Sequence, residues 1–188
     1  MATKFNTGKV RFSYPNVFKP RASAEGAEPK YSMTALLPKS DKATLDKLSA
    51  ACKEIYEENK GKGQAFYNLN YDEVQKPFHD GDGRKPKGGA YGDECKGCIV
   101  LNMSSKNKPI VVDGQRNPVT DELSVYPGCY GRVNVGLYVY NVSGNKGIAC
   151  GLNGVQTFGY GQAIGGGCSA GDFDDGFSDD AADEEFEL

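Results

Sequence analysis

Few side chains in this sequence could carry catalytic chemistry. It holds a single histidine, His79, so a catalytic triad or a histidine-rich metal site would have to be built around that imidazole. Cys95 and Cys98 have the CxxC spacing of zinc and redox sites, but no second CxxC and no βαβ pattern accompanies them. We therefore expect a protein that is not an enzyme and holds no metal and no cofactor. A small zinc or redox protein that uses Cys95 and Cys98 is a less favoured alternative.

The most informative pattern lies in the segment 130–142, where residues of two kinds alternate. The odd positions from 133 to 139 are Val, Val, Leu and Val, which a strand would direct into a core. The even positions carry rings and a cation, which can stack on bases and contact phosphates: Tyr130, Arg132, Tyr138 and Tyr140. The alternative is that these tyrosines cover a second layer of the fold, for instance a helix.

The N-terminal segment 8–22 also interleaves cations with aromatic side chains. On a short strand Phe12 and Tyr14 share one face, which predicts that both rings belong to the core and that the cations opposite them are exposed. The residues after this strand are the better candidates for nucleic-acid contact. The candidates in this segment are Arg11, Phe18, Lys19 and Arg21.

Two basic groups lie on predicted loops. Arg84, Lys85 and Lys87 fall in a stretch rich in Gly and Pro, where they could form a flexible cationic finger that closes over a nucleic-acid strand. A solvated loop with accidental charge is the alternative. Lys106 and Lys108 form a smaller basic turn between two predicted strands, and they join the candidate contacts.

Periodicity and turn signals predict several strands and one helix. The helix follows Ser40 as N-cap and ends at Gly61 and Gly63, with one apolar stripe that contains Leu48 and Ile55. We expect the segment 64–93 to be a long mobile loop. The predicted strands are 9–14, 30–37, 98–104, 109–112, 130–142 and 148–158. This order predicts a mainly β fold, an OB-fold-like Greek-key barrel with one inserted helix, and a plain β-sandwich is the alternative.

Length and composition limit the remaining classes. The 188 residues suffice for one domain, and no apolar run approaches the roughly 20 residues of a membrane-spanning helix. The N-terminal residues lack the apolar stretch of an export signal, so we expect a cytoplasmic protein whose six cysteines are reduced thiols. No membrane partner is expected.

The charge is distributed unevenly along the chain. The segment 172–188 holds nine acidic residues and no basic one, so the first 171 residues hold 22 basic and 16 acidic side chains, a charge of about +6. Such a dense run of like charge is typical of disorder. We therefore expect a folded domain over 1–165, followed by a glycine linker and a disordered acidic tail over 166–188. Three phenylalanines punctuate the tail, so that it imitates single-stranded nucleic acid.

Several segments together resemble the phage and prophage single-stranded DNA-binding proteins, which have an OB-fold and an acidic C-terminal tail. The segments are GKVRFSYPNVFKPRA (8–22), YSMTALLPKSD (31–41), LNMSSKNKPIVVD (101–113), NPVTD (117–121), YPGCYGRVNVGLYVYN (126–141) and KGIACGLNGVQ (146–156). The resemblance implies sequence-independent binding of single-stranded DNA (ssDNA) in phage DNA replication and recombination, in the host cytoplasm. An RNA-binding or virion structural protein is the alternative, and a homodimer is left open.

The resemblance also gives the tail a role. It implies that the tail contacts replication and recombination proteins and competes for the DNA groove. Such tails often end in an aromatic residue, whereas here Phe186 is followed by Glu187 and Leu188. The residues expected to contact partners are Asp179, Asp180, Asp183, Glu184, Glu185 and Phe186.

Overall fold

A computed structural model describes residues 3–142 and 144–165. The expected tail, 166–188, lies outside the described residues. The strands are β1 (Thr3–Asn6), β2 (Val10–Arg21), β3 (Lys30–Pro38), β4 (Phe78–Asp80), β5 (Cys98–Ser105), β6 (Ile110–Val112), β7 (Tyr130–Val142) and β8 (Asn145–Thr157). One α-helix, α1, spans Lys42–Asn59, and short 3-10 turns span Asp93–Cys95 and Glu122–Ser124.

Five of these strands close into a barrel. The order around it is β2-β3-β5-β8-β7, and β7 returns to pair with β2. β3 pairs antiparallel with β2 on one side and with β5 on the other, β7 pairs antiparallel with β2, and β8 pairs in parallel with β5 at Ser104 and Gly151. Three successive antiparallel strands with a fourth returning beside the first form a Greek key. The prediction of a mainly β, OB-fold-like barrel is confirmed.

The other three strands extend the barrel wall. β1 pairs with β7, β6 pairs with β8, and β4 pairs with β5. The sequence predicted β6, but β1 and β4 were not expected. Segments of four and three residues are too short to show two-residue alternation, and β1 and β4 also lack the β-branched run of Ile110–Val112 that marks the equally short β6.

The barrel interior is filled by alternate residues of the strands. On β7 the odd positions Val133, Val135 and Leu137 are buried, as predicted. The predicted helical stripe is also confirmed, since Leu48 and Ile55 lie in the same core. The N-cap is Asp41 rather than Ser40, because the Asp41 carboxylate accepts the Thr44 backbone N–H at 3.1 Å.

The cysteines of the described residues are free thiols, and three of them, Cys52, Cys129 and Cys150, are core side chains. Burial raises the pKa of Cys52 to about 11 and that of Cys150 to about 12. Within the part of the chain that the structure describes, no helix is long and apolar enough to cross a membrane.

The segment 64–93 differs from the expected mobile loop in its first half. The Phe66 ring is fully buried and lies 6.2 Å from the Tyr56 ring of α1, and the Tyr71 ring meets Tyr56 edge-on at 5.4 Å. Val74 is also a core residue. The segment therefore attaches the helix to the barrel, and aromatic burial outweighs its content of turn residues.

Barrel closure generates a stability prediction at Gly131. A Cβ at this position would stand 2.3 Å from Cζ of Phe12 and 2.2 Å from the carbonyl oxygen of Gln156. We expect Gly131→Ala to lower the free energy of unfolding by about 1–3 kcal/mol or more, since overpacking a core usually costs this much. Gly114→Ala is the matched control, because a Cβ there meets nothing within 4 Å. Urea unfolding of both variants measures the difference, and equal stabilities would contradict the proposed closure.

Candidate nucleic-acid interface

The outer side of β2, β3 and β5 carries two rows of paired polar residues, which we call the front face. Ser13, Thr34 and Asn102 form one row across the three strands, and Asn16, Ser32 and Ser104 form the next. The Thr34 hydroxyl donates to Oδ1 of Asn102 at 2.9 Å, and Nδ2 of Asn16 donates to the Ser32 hydroxyl at 3.4 Å. The front face is therefore a hydrogen-bonded polar floor.

Two clefts of about 310 Å³ each meet on this floor at Ser104. Arg21 and Lys30 line the first cleft, together with Glu28, and Lys76 lines the second. Glu28 forms an ion pair with Lys106 at 2.7 Å, which lowers the pKa of its carboxyl group. Cations therefore stand at both ends of the front face.

Tyr138 and Tyr140 lie beside the second cleft. The Tyr138 ring is 44% exposed and would contact a Cβ at Gly151, the residue that pairs with Ser104. The Tyr140 ring lines the cleft itself, and its hydroxyl donates to Oε1 of Gln75 at 2.7 Å. Because Tyr138 is exposed, it does not cover the helix, and the second-layer interpretation is wrong for this residue.

Tyr14 corrects the prediction for the N-terminal segment. Its side chain is 74% exposed, although it was expected in the core with Phe12, which is fully buried. Between Ser13 and Asn16 three steps on β2 face two on β3, so a β-bulge shifts the alternation at this point. Tyr14 also has a φ of 47°, a left-handed conformation that is uncommon outside glycine. The bulge turns its ring outward at the edge of the front face.

The bulge has a signal in the sequence. Pro15 follows Tyr14, and a proline inside a strand marks a bulge or an edge. The strand then continues to Arg21, so Phe18, Lys19 and Arg21 belong to β2 rather than following it. Phe18 packs against the core, and Lys19 forms an ion pair with Glu122 at 2.9 Å. Of these three residues the structure brings Arg21 to the front face.

Tyr130, Arg132 and Arg11 lie at the opposite end of β7 from Tyr138. The Arg11 guanidinium donates to the carbonyl of Gly128 at 3.2 Å and to that of Gln162 at 2.6 Å. Nε of Arg132 donates to the carbonyl of Thr7 at 3.0 Å. The even-numbered side chains of β7 therefore share one side of the strand, as predicted, but they divide between two sites. Tyr138 and Tyr140 lie beside the second cleft, whereas Tyr130 and Arg132 lie at the other end of the strand.

The remaining basic candidates lie on exposed connections. Lys106 and Lys108 lie between β5 and β6, as predicted. The ammonium of Lys85 stands 5.7 Å from the centre of the Tyr91 ring, and the backbones of Arg84 and Ala90 form an isolated antiparallel β-bridge. The structure does not place Arg84, Lys85, Lys87 or Lys108 in either cleft of the front face.

Sequence reasoning missed several residues of this face. Lys76, His79 and the polar floor of Thr34, Asn102 and Ser104 carry no local motif, and only strand pairing brings them together. The ammonium of Lys76 donates to the carbonyls of Tyr71 and Val74 at 2.8 and 3.2 Å. Those bonds hold one positive charge at the mouth of the second cleft.

The CxxC pair occupies the start of β5 and the turn before it. Burial raises the pKa of both Cys95 and Cys98, whereas redox-active thiols have lowered pKa values. Over 3–142 and 144–165, no group of three or more His, Cys, Asp or Glu side chains is arranged to hold a metal ion.

The fold and this face define a class, the OB-fold-like barrels, which bind oligonucleotides and oligosaccharides on the outer side of their second and third barrel strands. The model of the Enterobacter phage Enc34 ssDNA-binding protein family matches residues 3–187. The chain belongs to this family.

Individual proteins are similar to this chain over most of its length. Protein p50 of Acyrthosiphon pisum secondary endosymbiont phage 1 is 32% identical over 179 residues, covering 92% of this chain and 93% of the relative. The Enc34 ssDNA-binding protein in complex with ssDNA has the same fold, with a TM-score of 0.70 at 23% identity over 86% of this chain and 89% of that one. The ssDNA-binding protein gp2.5 of bacteriophage T7 gives a TM-score of 0.55 at 16% identity, over 95% and 97% of the two chains.

His79 generates a pH prediction. It lines the second cleft, and burial lowers its pKa below the ordinary 6.5. The unfolded chain therefore binds this proton more readily, so acidification through pH 6.5 should destabilise the fold. We expect the free energy of unfolding of the wild-type protein to fall relative to that of His79→Gln as the pH falls from 7.5 to 5.5. NMR titration of the imidazole with urea unfolding at each pH measures this, and a pKa above 6.5 would contradict it.

Proposed function

We propose that this protein binds ssDNA without sequence preference on its front face, as a non-catalytic protein of phage DNA replication and recombination in the host cytoplasm. The observation that carries the proposal is the pair of exposed rings, Tyr14 and Tyr138, at the two sides of a polar floor with cations at its ends. Membership of a family described by its ssDNA-binding member supports it.

The chemistry of the face favours a single strand over a duplex. Aromatic side chains can stack only on bases whose faces are exposed, and those of a duplex are already stacked on one another. Arg21, Lys30 and Lys76 stand where they can neutralise the phosphates of a strand that crosses the floor. RNA offers the same features, so competition between ssDNA and RNA belongs to the test.

The position of Ile164 supports a role for the acidic tail. Ile164 packs with Leu36 and Val100, which pair on the outer side of β3 and β5 two residues from Thr34 and Asn102. The described chain therefore ends beside the front face. A tail attached there has a high effective concentration at this face, so even weak binding would compete with DNA. When DNA occupies the face, the residues from Asp179 to Phe186 become available to replication and recombination proteins.

The first experiment measures binding and the role of the rings. Fluorescence anisotropy should give similar affinities for oligo-dT and mixed ssDNA, both tighter than for duplex. If about five phosphates are neutralised, the logarithm of the affinity should fall with log salt at a slope of about −3.5. Tyr14→Ala and Tyr138→Ala should each weaken binding by about 1–3 kcal/mol, the contribution of a base stack.

Tyr67→Ala is the matched control for the rings, because Tyr67 is as exposed as Tyr138 but lies on the turn that follows α1 and is not part of β2, β3, β5 or β7. Urea unfolding should show that all three variants keep their stability, because an exposed ring adds little to it. A preference for duplex, an affinity independent of salt, or equal losses in the three variants would refute the proposed site. Tighter binding of RNA than of ssDNA would assign the face to RNA.

The second experiment concerns the tail. A chain that ends at Gly171 loses nine negative charges, so its affinity for ssDNA should rise, most strongly at low salt where screening is weakest. Replacing Asp179, Asp180, Asp183, Glu184 and Glu185 by their amides keeps the length and the phenylalanines, and it should reproduce most of the gain. Unchanged affinity at low salt in both variants would show that the tail does not compete.

A further inference from the structure

A second concave surface lies on the outer side of the barrel, which we call the far face. Here β1, β7, β8 and β6 lie side by side as a small sheet. A cleft of about 500 Å³ opens on its outer side, and its wall includes Arg116, Arg132, Asn134 and Gln156. Clefts of 300–1,000 Å³ are the usual size of ligand sites.

The lining of this cleft has the chemistry of a nucleotide site. Nε of Arg132 donates to the Thr7 carbonyl, and the two terminal nitrogens of its guanidinium have no hydrogen-bond or ion-pair partner within the described residues. Among those residues, no acidic side chain lines the cleft. Asn153 donates to Asn134 at 3.0 Å, and Asn134 donates to Asn6 at 2.7 Å, so a chain of amides borders the two arginines. Guanidinium groups bind phosphate, and amides bond the edges of bases.

A stacking platform adjoins the cleft. Tyr130 shares the outer side of β7 with Arg132, and its ring lies 5.6 Å from that of Tyr160. Tyr160 is 52% exposed, and the ammonium of Lys9 stands 4.6 Å from the Tyr130 ring and 3.1 Å from the Tyr160 hydroxyl. Tyr130, Tyr160 and Lys9 therefore lie next to the cleft that contains Arg116 and Arg132. This arrangement combines a ring for a base with charges for its phosphates.

We propose that the far face binds a further segment of the ssDNA strand that crosses the front face, with its phosphates on Arg116 and Arg132 and a base on Tyr160. The inference rests on the proposed function. Tyr138 of the front face and Arg132 lie on the same side of one strand, about 20 Å apart along β7. Between them Gly136 pairs with Gly151, and the side chains of Lys4 and Asn153 lie above Gly136, so a cation and an amide line the path between the two faces.

The test compares a short with a long oligonucleotide on the full-length protein. A strand of about 6 nucleotides can fill one face, whereas a strand of about 20 exceeds the usual site of a single OB barrel. Arg116→Gln and Tyr160→Ala should leave the affinity for the short oligo-dT unchanged. Each should weaken binding of the long one by about fivefold or more, and Arg116→Gln should also reduce its salt slope by about 0.7.

Lys62→Gln is the matched control, because Lys62 is an exposed lysine after α1 that lines neither face. Equal effects of the variants on both lengths, or no effect on either, would overturn the inference and leave the proposed function intact. Failure of the wild-type protein to bind either length would instead refute the proposed function. If NMR signals of Arg116 and Gln156 move on removal of residues 172–188 but not on addition of the long strand, the far face binds an acidic segment and the inference is wrong.

Discussion

The barrel depends on a short seam between β2 and β7. Two residue pairs, Val10 with Gly131 and Arg11 with Tyr130, close it, and the Phe12 ring fills the space that a side chain at position 131 would take. Arg11 reinforces the seam, because its guanidinium holds the carbonyls of Gly128 and Gln162 from outside. An arginine that sequence reasoning assigned to DNA contact thus has a structural role, one that fixes where the C-terminal segment leaves the barrel.

Closure of the barrel separates the two sides of each strand. Inward residues form the core, and outward residues are left for binding. A change of register by one residue therefore moves a side chain from the core to the outer surface, or the reverse. The bulge before Asn16 makes such a change at Tyr14. Its positive φ is a local strain of the kind that persists where the surrounding structure enforces it, often at functional sites.

The sequence predicted the elements with long periodic patterns and not those that depend on pairing. The bounds of β7 and the stripe of α1 were predicted closely, because thirteen and eighteen residues give several repeats of each period. Tyr14 was assigned to the wrong side because the bulge at Pro15 was overlooked. Lys19 and Glu122 lie about a hundred residues apart, and no local pattern reveals that they neutralise each other.

The hydrogen bonds of the front face explain why it should bind any sequence. Thr34 and Asn102 bond each other, as do Asn16 and Ser32, so part of the hydrogen-bonding capacity of each pair is engaged within the floor and is not free for the distinctive edges of bases. Rings and cations remain at the margins, and neither distinguishes one base from another, since every base has a stacking face and every nucleotide a phosphate. The proposed lack of sequence preference therefore rests on stacking and charge at the margins of a floor whose polar side chains partly bond one another, whereas a base-specific protein would need those groups unpaired and directed outward.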